Sequence, residues 1–242
     1  MGDGLLVLRT LTHLQKYKQF GDSVSVAFSG GMDSLVTLDL CRRLFPNTCA
    51  YHMYLVPGLD FIERPIERYC TSIGVPLVMV PHWNLSQLFR AGVYMPGSHP
   101  NFRHVKQKHI ERHIRFRQGT QWIAYGHKQT DSISRRYYLN TRGMGDLKDF
   151  RLAPIWNWTP KQVSLYVKLY GLEQYVVSLR FGQEKMGGLK LNKRCLCMIK
   201  EKHPDDFRRI LDVFPVAETL TLEESKLDLV PEMGDIVEYG EA

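Results

Sequence analysis

The chain predicts an α/β fold: a parallel sheet with helices on both faces, followed by a small C-terminal extension. Three observations lead there. A short apolar strand runs straight into a glycine turn and then a helical stretch; strand-like and helix-like segments go on alternating after it; and 44% hydrophobic against 24% charged residues supports one main buried core.

The first element is a helix over 5–20, with Leu5, Leu8, Leu11 and Leu14 at helical intervals and Gly21-Asp22 closing it. Val24 to Phe28 reads as a buried strand, and Asp33 to Leu44 as a helix. Strand Cys49 to Val56, helix Phe61 to Ile73 and strand Pro76 to Val80 follow, the last two separated by Gly74. A basic helix over 101–118 leads to strand Gln121 to Tyr125, and Leu152 to Ile155 reads as a fifth strand. Alternation of this kind winds a parallel sheet with right-handed crossovers. Past residue 180 the pattern weakens, with one clear helix at 204–213. This divides the chain into a main domain over 1–179, including the N-terminal helix, and a C-terminal extension over 180–242.

The net charge of +7 favours anionic partners such as nucleotides, sulfate esters, nucleic acid or phospholipid, without choosing among them. Five cysteines without a disulfide-like spacing read as reduced thiols of a cytoplasmic protein. The first residues carry no basic-then-apolar leader, and no run approaches the roughly 20 apolar residues of a membrane helix, so no membrane partner is expected. The oligomeric state leaves no mark on the sequence.

Chemistry concentrates at Ser29-Gly30-Gly31-Met32-Asp33-Ser34. Adjacent glycines after a buried strand permit positive φ and let backbone N–H groups approach a ligand, while the helix that follows aims its positive end at the same place. Ser29 and Ser34 can donate to phosphate oxygens, and Asp33 is placed either to cap the helix or to hold Mg2+. The bland alternative is a tight strand-to-helix corner. The loop lacks the Gly-Lys-Ser/Thr of a Walker loop, and the chain has no Gly-x-Gly-x-x-Gly fingerprint.

This Ser-Gly-Gly-x-Asp-Ser loop resembles the signature of the PP-loop ATP pyrophosphatase superfamily. The resemblance implies a Rossmann-like fold of the adenine nucleotide alpha hydrolase type, with ATP and Mg2+ as cofactors and cleavage between the α and β phosphates. Ile123 to Ser132 with Arg135-Arg136, and Ala153 to Val163 with its Pro154-Ile155-Trp156-Asn157-Trp158-Thr159 run, resemble the phosphoadenosine phosphosulfate reductase branch; the similarity spans 23–171. Gly126 then ends a strand at the sheet edge where α/β folds place ligands, and His127, Lys128 and Arg135 stand ready to meet phosphate or sulfate, or else decorate a solvated helix start. Trp156 and Trp158 read as core packing rather than a base-stacking platform.

One departure from that branch matters. Its nucleophilic cysteine lies in a Glu-Cys-Gly-Leu-His-like segment, and no cysteine follows Cys197 here. Cys195 and Cys197, after Lys193-Arg194, read as structural thiols or as reactive or metal-binding ones with His203. The segment 101–118 carries six Lys or Arg and three His against one Glu, suiting a polyanion or a solvated helix face.

The expected function is an enzyme that binds an adenine nucleotide through Ser29, Gly30, Gly31, Asp33, Ser34, Gly126 and His127, with Asp33, Lys128 and Arg135 catalytic and Asp33 as metal ligand. It would adenylate an unidentified acceptor and release pyrophosphate. The alternatives are a sulfonucleotide enzyme with Cys195 or Cys197 as nucleophile, and a non-catalytic nucleotide-sensing or nucleic-acid-binding accessory protein.

Overall fold

Parallel strands buried on both faces need apolar residues at every position, and the central strand here alternates between two different surroundings. The computed structural model describes residues 2–177, 179–181, 184–186 and 189–222. Helix α1 (Gly2–Lys18) precedes β1 (Ser23–Ala27), α2 (Met32–Leu44), β2 (Asn47–Tyr54), α3 (Asp60–Ser72) and β3 (Leu77–Pro81). Then come α4 (Leu85–Ala91), α5 (Gln107–Gln118), β4 (Trp122–Ala124), α6 (Ile133–Arg142), β5 (Gly145–Asp146), β6 (Arg151–Leu152) and α7 (Pro160–Leu169). The hairpin β7 (Leu179–Phe181) and β8 (Glu184–Met186) is followed by α8 (Lys193–Lys202) and α9 (Pro204–Val213).

The main sheet runs β3-β2-β1-β4-β6-β5. All pairs are parallel except β5 with β6. Strand order reverses between β1 and β4, so their carboxyl ends flank a crevice, the place where open α/β sheets take ligands. Val24 and Val26 of β1, with Trp122 and Ala124 of β4, face the large core beneath α1, α2, α3 and α7. Ala27, Ile123 and Tyr125 turn the other way, into a smaller core with Ile110 and Ile114 of α5. The period-2 alternation therefore puts helices on both faces, as the sequence predicts.

Two serines interrupt the apolar run of β1, both buried and both bonded: Ser23 accepts from the Gln121 N–H at 3.1 Å, and the Ser25 hydroxyl contacts Gln118 and Thr120 at the end of α5. Helices α8 and α9 join the large core through Cys195, Leu196, Ile199, Phe207 and Ile210. From α9, the buried Asp206 carboxylate accepts from the N–H groups of Asp60 and Phe61 at 2.9 and 3.0 Å, capping α3 from outside its own sequence. No helix among the described residues is long and apolar enough to cross a membrane.

Several elements differ from the sequence reading. The basic helix begins at Gln107, not 101, because Val105 is held as loop by the Ser86 hydroxyl at 2.9 Å. The fifth strand covers only Arg151–Leu152, since Pro154 has no N–H and successive turns close Trp156 onto Ala153 and Trp158 onto Ile155. Helices α4, α6 and α8 are additional to the elements read from sequence. Trp158 is buried and donates to Thr10 at 3.0 Å, which confirms it as packing.

Candidate functional site

The loop 29–34 lies at the carboxyl end of β1, and its conformation follows from its two glycines in different ways. Gly30 has φ of +76°, and a β-carbon there would sit 2.3 Å from Val177 Cγ2. The Gly30 carbonyl accepts from the Val177 N–H at 2.9 Å, so both strain and crowding require glycine. Gly31 is extended, with φ −74° and ψ 159°, and is itself the N-cap of α2. Asp33 is therefore not the cap but lies in the first turn, correcting the capping role expected of it. With no capping side chain on Gly31, the first-turn N–H groups of α2 have no intrahelical acceptor and point at the crevice.

Ser29 and Ser34 close the loop on itself. The Ser34 hydroxyl donates to the Gly31 carbonyl at 2.9 Å and accepts from the Ser29 N–H at 3.2 Å, and the two hydroxyls stand 3.1 Å apart. Gly126, just past β4, abuts this turn: a β-carbon on it would lie 2.8 Å from Asp33 C and 2.9 Å from Ser34 N. No side chain can enter there without moving the backbone of Asp33 and Ser34.

Across the crevice, Lys128 is buried and its ammonium pairs with the Asp33 carboxylate and, at 3.1 Å, with Asp131. Asp131 continues the chain to Arg135 at 3.0 Å and accepts from the Lys128 N–H at 2.9 Å. Burial pushes the Asp131 carboxyl up, but its bonds to Lys128 outweigh that and hold it below the usual carboxylate range. Asp33, Lys128 and Arg135 thus belong to one network.

His127 stacks on Tyr125, with ring centroids 4.8 Å apart and planes 11° from parallel. Burial, reinforced by the nearby Arg135 guanidinium, pushes its pKa down to about 4, so at neutral pH it presents an uncharged ring rather than a cation. The Tyr125 hydroxyl is fixed beneath it, donating to Glu111 at 2.6 Å.

Two cavities flank this centre. On the β2 side, Ser29, His52, Met53, Val56, Leu59 and His82 line one of about 210 Å³. His52 donates to the Phe28 carbonyl at 3.0 Å, and burial lowers the pKa of both imidazoles. On the β4 side, a cavity of about 260 Å³ lies between α5, α6 and β6 and includes Tyr125, His127, Arg135 and Tyr138. The sequence reading missed this second cavity because its walls come from the unforeseen α6 and from the short β5–β6 hairpin.

A magnesium ion finds only one carboxylate on the loop, and a buried ammonium already holds it. Among the described residues no cluster of three or more His, Cys, Asp or Glu could hold a metal unaided. The donor set fits a cation that arrives coordinated to a polyphosphate, with Asp33 supplying one further oxygen. Cys195 and Cys197 sit on α8, and neither lines the two flanking cavities. Cys195 is fully buried and its thiol is pushed up by that burial, which opposes a nucleophilic role.

A glycine turn opening onto an uncapped helix, at the reversal point of a mostly parallel sheet, defines a nucleotide-binding α/β protein of the PP-loop superfamily. Residues 23–180 match the phosphoadenosine phosphosulfate reductase domain, and the chain belongs to that family. It is similar to adenosine 5'-phosphosulfate reductase from Geobacillus thermodenitrificans (strain NG80-2), with 25% identity over 167 residues, covering 66% of this chain and 69% of the relative. In fold it resembles the NH3-dependent NAD synthetase from Campylobacter jejuni subsp. jejuni NCTC 11168, solved with nitrate, at a TM-score of 0.51 and 14% identity, covering 98% of this chain and 100% of that one. The U34-tRNA thiolase NcsA from Methanococcus maripaludis, solved with its 4Fe-4S cluster, aligns at a TM-score of 0.49 and 16% identity, over 97% of this chain and 86% of that one.

Proposed function

We propose that this chain is an enzyme that binds ATP with Mg2+, cleaves it between the α and β phosphates, adenylates an acceptor and releases pyrophosphate. The observation that carries the reading is the uncapped first turn of α2 facing a buried ammonium: Gly30 to Ser34 offers backbone donors, and Lys128 stands opposite on Asp33. The cavity beside Ser29, about 210 Å³ and mostly apolar with Glu63 as its one charged lining residue, suits an adenine ring, so a nucleotide lies with its base there and its phosphates over the loop. An acceptor oxygen then forms a bond to the α-phosphorus as the bond to the bridging oxygen breaks, and the electron pair leaves on pyrophosphate. Lys128 and Arg135 offset the charge that grows on the phosphates, and Asp33 would hold a magnesium ion bound to the nucleotide, which would supply further charge neutralisation there.

A second reading, a sulfonucleotide as substrate, is favoured by the similarity to adenosine 5'-phosphosulfate reductase. It shares the phosphate cradle but requires a nucleophilic thiol, and the burial of Cys195 speaks against that residue. The deciding experiment incubates purified protein with Mg2+ and ATP labelled at the α and γ positions, across acceptor pools, with adenylyl sulfate and a dithiol as the two-electron reductant in parallel. Labelled pyrophosphate with AMP or an adenylated acceptor supports the first reading. Uncleaved ATP together with sulfite release from adenylyl sulfate replaces it with the second.

A further inference from the structure

Two features on the α5 side of the sheet lie outside the phosphate cradle, and they fit the same kind of ligand. The first is the cavity of about 260 Å³, below the roughly 300–1,000 Å³ of drug-sized pockets and on the scale of one ring system. Its floor is the Tyr125–His127 stack, and Tyr138 forms part of its wall. Each guanidinium at its lining already has an acid: Arg135 with Asp131 at 3.0 Å, Arg142 with Asp146 at 3.1 Å and Arg151 with Glu111 at 3.0 Å. Guanidiniums already turned onto acids and an uncharged imidazole leave the cavity without a free cation among the described residues. They suit a neutral planar ring that stacks on one face and hydrogen-bonds at its edge.

The second feature is the outward face of α5. Lys108, His109, Arg112, His113, Phe116 and Arg117 are exposed in sequence along it. The helix's one acid, Glu111, points inward and is consumed by Arg151 and Tyr125. Lys108, Arg112 and Arg117 form no ion pair among the described residues, in contrast to the cations lining the cavity. Like charges crowded on one helix face repel, and a polyanion relieves that repulsion. In their midst Phe116 is 86% exposed, and on the neighbouring α6 Tyr137 is 75% exposed, so the cationic surface carries aromatic faces. Gln107, at the start of α5, lines the cavity, which joins the two features.

We propose that single-stranded nucleic acid binds across α5 and α6, with its phosphates on Lys108, Arg112 and Arg117 and one unstacked base in the cavity of Tyr125, His127 and Tyr138. The single-stranded form follows from the cavity, since a base stacked and paired in a duplex cannot enter it. The inference deepens the adenylation reading, because it names the acceptor as a nucleotide within a polymer. The base lies beside the cradle through His127 and Arg135, and the latter joins Asp131, Lys128 and Asp33 in one charge chain.

The test measures fluorescence anisotropy of labelled 12-residue RNA and DNA strands without ATP, with binding of a fluorescent ATP analogue read separately. The expected result is salt-dependent binding of single strands, and an abasic strand that binds at least fivefold more weakly. The exposed pair Lys108→Glu, Arg112→Glu should weaken binding tenfold or more and lower the log–log salt slope by about 1.4, close to 0.7 for each phosphate that is no longer neutralised. Tyr138→Ala should weaken binding of the base-bearing strand while leaving the abasic one unchanged, and Tyr138→Phe should restore it. Equal binding of abasic and base-bearing strands overturns the proposal, as does a duplex that binds as tightly as a single strand. A free nucleoside that matches the strand also overturns it, by assigning the cavity to a small acceptor. Absence of ATP-analogue binding with strand binding intact would refute the adenylation reading, and with it the strand's role as acceptor, and leave the strand-binding surface standing.

Discussion

Gly126 approaches the backbone of Asp33 so closely that a β-carbon on it would lie 2.8 Å from the Asp33 carbonyl carbon. The end of β4 and the first turn of α2 are thus locked together by the absence of a side chain. Gly126→Ala should displace the phosphate-facing turn, cost about 1–3 kcal/mol of stability and abolish ATP binding. Thermal unfolding and titration with a fluorescent ATP analogue check it. Wild-type affinity in a folded variant would mean that the 29–34 turn does not hold the phosphates.

Lys128 sits between two carboxylates, and the partners respond differently to its loss. Lys128→Met leaves Asp33 and Asp131 without their shared ammonium; Asp33 is 42% exposed and Asp131 keeps Arg135, so solvent and that pair limit the expected cost to about 1–2 kcal/mol. Asp33→Asn leaves Lys128 its bond to Asp131 and places an amide on a half-exposed position, so unfolding should hardly change. Its turnover should fall roughly 100-fold or more, the scale of losing one electrostatic interaction with the transition state. Pyrophosphate release measured alongside chemical unfolding separates the two effects; an Asp33→Asn enzyme with full turnover would remove Asp33 from the catalytic group.

The part of this arrangement legible in sequence is the part built from consecutive residues. Val24 to Ser34 reads directly as strand, turn and helix, because the apolar run, the glycines and the helical periodicity lie in one stretch. Gly126 and Lys128 could be assigned to the ligand edge because β4 is short, apolar and ends in glycine. Their contacts with Asp33 span nearly a hundred residues and leave no local signal. Helix α6 escaped notice for a different reason: of its residues only Leu139 is buried, while Ile133, Tyr137 and Tyr138 are exposed, so it lacks the apolar stripe that identifies a helix. The positive φ of Gly30 and the extended Gly31 were equally hidden, since adjacent glycines permit both conformations and the packing of Val177 decides between them.

Cys195 and Cys197 lie two positions apart on a helix, a spacing that turns their side chains to different sides. Cys195 is fully buried with its thiol pushed up, so it should resist iodoacetamide at neutral pH in the native state and react once the chain is unfolded. The double variant Cys195→Ala, Cys197→Ser should keep pyrophosphate release within about twofold of wild type if these thiols only pack. Mass spectrometry of the alkylated protein and the same turnover assay give both results. Release abolished in a variant that still binds ATP would make a thiol part of the chemistry.

His127 ties the fold to pH with a definite sign. Its pKa in the folded chain is depressed to about 4 from an ordinary value near 6.5, chiefly by burial and next by Arg135. The unfolded chain therefore binds a proton across pH 4 to 6.5 that the folded chain refuses. Stability is fully present above that window and is lost as pH falls through it. Between pH 7 and pH 5 this single ring should cost about 2 kcal/mol of unfolding free energy, as 1.36 kcal/mol per unit of pKa implies. His52 and His82 are also depressed and act with the same sign, so wild type alone does not isolate His127. The His127→Gln variant does, because it keeps a polar side chain beside Tyr125 and removes only this titration. Urea unfolding of both proteins at pH 7 and pH 5 should show the variant losing about 2 kcal/mol less than wild type, and equal losses would place an ordinary, solvent-titrating imidazole at position 127.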